Sequence, residues 1–264
     1  MIERQRRRAR LHVVKLYRLG ALCGQLSIYA WTQQNLPFRL ENRIHLGQVF
    51  QPSTHWNMNQ AFLAHRAKYR QVLSERFRVS PDMYDEVSHL MAPQARHVSV
   101  RKGEYLQRSG ELAQYIHWLH SGVARVGYAP GNGSEVTLYF RTDGQMAVSH
   151  DDILRAQSQE PAHNFVVAET AVQTYRFELQ ALWALTAQHA VLRDYYIKVS
   201  ERGIMDQSRR LYLSVCPAQS RLEAFRIDYP GLEQRISQKV VASFLGITPQ
   251  YMSQLLKQDA ALPR

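Results

Sequence analysis

The chain has 264 residues, enough for two ordinary domains, and its 45% apolar and 21% charged content fits a folded globular protein rather than a disordered one. The longest apolar run, Ala21 to Trp31, is interrupted by Gln25 and Ser27 and is too short for the roughly 20 residues of a membrane helix. Cys23 and Cys216 lie outside any CxxC pair, which excludes a disulfide scaffold and makes a reducing cytoplasm the expected compartment. The formal net charge of +11 is unevenly spread, since residues 1–57 hold nine Lys/Arg against only two acids.

Residues 1–57 read as an atypical basic segment. Arg6-Arg7-Arg8 before a mixed apolar stretch superficially suggests export, but Arg18 and Gln25 interrupt it and no small-x-small site follows. The segment is expected to be either a loosely ordered arm or a stretch upstream of the native start, with Met58 the natural alternative initiator.

Residues 59–93 carry helical signals. Ala61, Phe62, Tyr69, Val72 and Leu73 recur at helical spacing. Ser80-Pro81-Asp82 then predicts a second helix start, with a capping serine, proline at the first position and an acid in the first turn. From Arg96 to Phe177 the period changes to two. Strands are expected at 97–101, 115–120, 123–128, 135–141, 165–168 and 172–177, separated by turns such as Pro130-Gly131-Asn132-Gly133 and Thr142-Asp143-Gly144. Short strands at regular spacing predict an antiparallel barrel or jelly roll.

Helix returns after Glu178, first near Leu179–Ala187 and then from about Ala190 to Leu213. Leu182, Leu185, His189, Leu192, Tyr196, Val199 and Gly203 fall on alternating steps of three and four, the spacing of a coiled-coil seam. Packing on the barrel is the other reading. A helix of about 24 residues spans roughly 36 Å, more than a small barrel needs, which favours a dimer seam through Leu192, Tyr196 and Val199.

The last motif is the most specific. Ser237 caps a short helix from Gln238 to Leu245, Gly246 ends it, Thr248 caps the next and Pro249 opens it. Helix, glycine turn, helix is the helix-turn-helix pattern, whose second helix enters the major groove. Between Gln234 and Gln258 the only charges are Arg235, Lys239 and Lys257, all positive, as a surface approaching phosphates requires. Pro249, Gln250, Ser253 and Gln254 are placed to reach base edges, while Gln238, Lys239, Thr248 and Lys257 are placed on the backbone side.

The stretch Tyr229 to Lys239, continuing through Ala242-Ser243-Phe244-Leu245-Gly246-Ile247-Thr248-Pro249, resembles the C-terminal region of the Crp/Fnr superfamily of bacterial transcription regulators. The order of barrel, long helix and helix-turn-helix is similar to that family's plan. The resemblance implies an α+β fold: a cyclic-nucleotide-binding-like jelly-roll barrel over 58–188, a dimerisation helix over 189–214 and a DNA-binding domain over 215–264. In cyclic-nucleotide-binding members a Gly-Glu pair holds the ribose and an Arg-Ser/Thr pair grips the phosphate. Here Gly144-Gln145 replaces the first pair, and Ala162-His163 stand where the second belongs. Loss of the guanidinium removes the bidentate clamp, so cyclic AMP is not expected and the effector is unassigned. Where relatives carry an arginine to read guanine, Gln254 is expected to read adenine.

No GxSxG, Walker, HExxH or dinucleotide fingerprint appears, and His117 and His120 fall on opposite faces of a strand, so no catalytic residue, metal site or cofactor is expected. His150-Asp151-Asp152 reads as a polar loop run. Expected partners are double-stranded DNA, a second copy of the chain and RNA polymerase, with no membrane. The alternative is a ligand- or partner-binding module whose terminal helices touch only protein.

Overall fold

In the computed structural model, which describes residues 52–131 and 134–261, three helices lead into the sheets: α1 (Pro52–Ala67), α2 (Arg70–Phe77) and α3 (Pro81–Met91). The expectations for residues 1–51, and for the turn at Asn132-Gly133, lie outside the described residues. Helix α1 starts at Pro52, a residue suited to the first helical turn, so a boundary at Met58 falls within it. The periodic stretch from Ala61 to Leu73 is two helices rather than one. The chain breaks at Lys68–Tyr69, and Val72, read as part of the apolar stripe, is 63% exposed. Ser80 caps α3 as expected, accepting from Met83 N at 3.1 Å with Pro81 behind it.

Eight strands follow: β1 (Arg96–Val100), β2 (Tyr105–Gln107), β3 (Tyr115–Ser121), β4 (Ala124–Tyr128), β5 (Val136–Arg141), β6 (Met146–Ala147), β7 (Phe165–Ala168) and β8 (Val172–Glu178). They pair antiparallel in two four-stranded sheets, ordered β1-β8-β3-β6 and β2-β7-β4-β5. This is the expected jelly-roll architecture. The short strands β2 and β6 were not legible from periodicity, because two or three residues carry no measurable alternation.

Alternation along β3 and β8 decides what each face packs. Ile116 and Trp118 share one core with Tyr175 and Phe177 and with α1, α2 and α3. Leu119 and Val172 belong to a second core with Ala124, Val126, Val166 and Ala168. Alanine and valine dominate that second core.

The helix-facing core contains one charge. Arg66 of α1 is 1% exposed, and its guanidinium carbon lies 4.2 Å from the Tyr84 ring centroid and 4.5 Å from that of Trp118. Its Nε donates to Ser88 Oγ at 2.6 Å. Two aromatic faces thus supply the attraction that water would otherwise give the cation.

After β8 the chain enters α5 (Leu179–Gln188) and the long α6 (Ala190–Ser214), then α7 (Ala218–Asp228), α8 (Gln238–Leu245) and α9 (Pro249–Ala261). His189 is extended, at φ −121° and ψ 109°, so the stripe from Leu182 to Gly203 crosses a break instead of following one helix. Leu192 and Val199, assigned to a dimer seam, are only 6% and 9% exposed and sit in the helix-facing core with Tyr195. Their face is covered by α2 and α3, where Phe77 and Tyr84 stack edge-on against Tyr195. Tyr196 is half-buried. The apolar side chains that α6 leaves uncovered are Ile197, Ile204 and Leu211, one every seven residues, flanked by Met205 and Tyr212.

His65 and His117 are 4% and 5% exposed, and His150 is half-buried. Burial, with help from neighbouring positive groups, holds His65 and His150 at about 4 and His117 at about 3. The unfolded chain takes up protons near pH 6.5 that the folded chain refuses. Stability is therefore expected to fall as pH drops from about 6.5 toward 4. His117→Leu should flatten that slope by up to about 1.4 kcal/mol per pH unit, read from urea unfolding at several pH values. A slope equal to the parent's would mean that His117 titrates normally.

Candidate nucleic-acid interface

Local sequence builds the helical pair at the C-terminal end. Ser237, extended at φ −71°, accepts from Val240 N at 3.3 Å and starts α8. Gly246 adopts the left-handed conformation at φ 66°, and the Ile247 N–H closes onto Ala242 O at 3.0 Å. Thr248 Oγ1 accepts from Tyr251 N at 3.1 Å and starts α9. Val241, Phe244, Leu245, Met252 and Leu255 turn inward onto Leu222, Phe225 and Leu232.

The opposite face is open. Gln238, Lys239, Thr248, Pro249, Gln250, Ser253, Gln254 and Lys257 are all exposed. The structure brings Pro249, Gln250, Ser253 and Gln254 together on the first two turns of α9. Ser253 Oγ donates to Pro249 O at 3.1 Å, so its proton is used within the helix and its lone pairs face out. Tyr251 is 43% exposed beside them. Arg235 differs from the two lysines, because it faces Asp143 of the barrel at 3.9 Å.

The helical pair is docked on the barrel through the free edge of β5. Ser243 Oγ accepts from Thr137 N at 3.0 Å and donates to Glu135 O at 2.8 Å. One hydroxyl thus satisfies a donor and an acceptor of an edge strand that would otherwise stay open. Phe140 of β5 is fully buried among Tyr229, Phe244 and Phe225, with ring centroids 5.4, 5.6 and 6.0 Å away. Arg210 of α6 donates to Phe244 O and lies 4.1 Å from the Phe244 ring centroid.

The cassette between β6 and β7 is closed by its own side chains. Contrary to the loop reading, His150-Asp151-Asp152 open helix α4 (His150–Gln157), capped by Ser149. Asp152 is 1% exposed, and its carboxylate accepts from His163 N at 2.8 Å and from Asn164 N at 3.2 Å. Burial pushes its carboxyl above the usual range, against the pull of those donors. Ala162 is buried, and the His163 ring is exposed. Gln145 turns back to accept from Thr142 N at 3.1 Å. Gly144 is left-handed at φ 76°, where a Cβ would lie 2.5 Å from the Tyr69 ring. His117 points between the sheets, while His120 stacks 4.3 Å from His65 on the helix side, so the two do not converge.

Residues 97–189 match the cyclic nucleotide-binding domain family. No curated protein sequence matches the chain significantly. Among solved structures, FixK2 from Bradyrhizobium japonicum is 17% identical with a TM-score of 0.54, over 62% of this chain and 83% of that one. A transcriptional regulator of the Crp/Fnr family from Eubacterium rectale is 17% identical with a TM-score of 0.53, over 66% and 82%. Over residues 97–189, then, the chain resembles a cyclic nucleotide-binding domain, and the two solved structures share its fold. Among the described residues, no helix is long and apolar enough to cross a membrane.

Phe140→Ala should cost about 3–5 kcal/mol, because the core it enters lies nearly 100 residues further along the chain. Urea unfolding of the variant checks this. A loss below about 1 kcal/mol would mean that the terminal helices close their core without the barrel.

Proposed function

We propose that the protein is a DNA-binding transcription regulator of the Crp/Fnr type, acting as a homodimer in the cytoplasm, and not an enzyme. The observation that carries this is the uncovered face of α9, where polar residues able to meet base edges sit together, with Lys239 and Lys257 beside them. Gln250 and Gln254 suit adenine N6/N7, and Ser253 serves as an acceptor. Gln238, Lys239, Thr248 and Lys257 are the proposed backbone contacts, and RNA polymerase is the partner that regulation would involve.

The cassette supports a regulator that does not take cyclic AMP. The backbone donors of His163 and Asn164 already hold the Asp152 carboxylate, and no guanidinium stands at Ala162. A cyclic phosphate entering there would meet a buried acid instead of a clamp.

Two substitutions separate reading from holding. Gln254→Ala should cost about 1–3 kcal/mol on the preferred duplex and almost nothing on random DNA. Lys239→Ala should weaken every duplex alike and lower the salt slope by about one. Both signatures are expected to be the same with and without cyclic AMP. Equal losses on preferred and random DNA in both variants would remove the base-reading assignment. Absence of binding to any duplex at low salt would favour the partner-binding module.

The dimer surface is proposed on the Ile197–Ile204–Leu211 stripe, since Leu192 and Val199 are occupied within the chain. Ile204→Asp with Leu211→Asp should give a folded monomer by analytical ultracentrifugation. An unchanged dimer would place the interface elsewhere.

A further inference from the structure

The face that α9 turns outward depends on what holds its inner face. Met252 and Leu255 pack inward, and Asp259 continues their line four residues after Leu255. Apolar burial resists separation of the helices but is non-directional, so it does little against sliding or roll. Asp259 ends the stripe with a charge. A carboxylate in the last turn of a helix is disfavoured by the helix dipole, so its place there calls for a partner.

Two side chains of α7 supply one. Arg226 Nη1 donates to Asp259 Oδ2 at 2.7 Å, and Gln219 Nε2 donates to Asp259 Oδ1 at 3.1 Å. The two donors are seven residues apart, about two turns or 10 Å along α7, so the carboxylate is seated between them. Glu233 takes the other edge of the guanidinium, with Arg226 Nε at 2.9 Å and Nη2 at 3.4 Å. Glu233 belongs to the single turn Leu232–Gln234, which Gly231 enters at φ 73°. One planar fork thus ties α7, the approach to α8 and the end of α9 together. Their side chains keep 36%, 19% and 23% exposure for Arg226, Glu233 and Asp259. Ion pairs so placed add little stability, whereas the rigid fork fixes direction.

We infer that Arg226 is a positioning residue for base recognition: by holding Asp259 it sets the roll of α9, and with it the side chains that meet the bases. Gln250 stands nine residues before Asp259, about two and a half turns at 3.6 residues per turn, and so lies opposite the clamp. Ser253 and Gln254 flank Gln250 on that side. A roll released by a loosened clamp swings all three across the groove together. The inference rests on α9 being the helix that reads DNA, as proposed above. Arg226 acts from behind that helix and meets no base.

The test uses a duplex selected by the full chain from a random-sequence pool and an unselected duplex of the same length. The readout is the ratio of the two affinities. Arg226→Gln and Asp259→Asn should each lower that ratio about tenfold, and the double variant should lower it no further. The two single variants change the net charge in opposite directions, so altered attraction to phosphates would move their affinities oppositely. Loss of folded protein would weaken both duplexes alike and leave the ratio where it was. If Arg226→Gln does not fold, Asp259→Asn in the last turn of α9 decides alone. A ratio that stays at the parent's value, or that the two variants shift in opposite directions, would overturn the clamp and leave DNA recognition standing. A parent chain that selects no duplex would overturn both.

Discussion

Phe140 is the side chain on which the arrangement of the C-terminal half depends. It belongs to a barrel strand, yet it is buried in the core of the helix-turn-helix unit, among Phe225, Tyr229 and Phe244. Fewer than about 50 residues form that unit, and a segment so short rarely buries enough apolar surface alone. The barrel lends it the missing ring. In return, Ser243 closes the exposed edge of β5, so each partner covers a defect in the other.

That exchange explains the placement of the polar face described above. Docking through α7 and the inner face of α8 leaves the outer face of α9 uncovered, and its polar residues stay in water. The same docking brings Arg210 and the α6 wall against β5. Gly203 helps set this spacing, since a Cβ there would come within 3.2 Å of the His150 ring.

Turn and cap chemistry carried most of what the sequence could tell. Ser80-Pro81, Ser237, Gly246 and Thr248-Pro249 fix their own backbone locally, and all four act as their types predict. The exposed polar set on α9 was legible for the same reason, because helical period and capping together orient the face. The α6 stripe was misleading because spacing shows which residues share a face but not what covers it. Leu192 and Val199 were claimed by α2 and α3, elements more than a hundred residues away in sequence. Helix α4 carries a start signal in Ser149 followed by Asp151 and Asp152 in its first turn. Arg226, Glu233 and Asp259 come from three separate elements, and no linear pattern joins them.

The buried guanidinium of Arg66 gives α1 a mechanical character unlike that of its neighbours. Apolar side chains peel from a core gradually, each gaining or losing a little surface. Arg66 must leave the rings of Tyr84 and Trp118 and the hydroxyl of Ser88 together before water can reach its charge. Withdrawal of α1 therefore strips the cation of both rings and its hydroxyl partner at the same time.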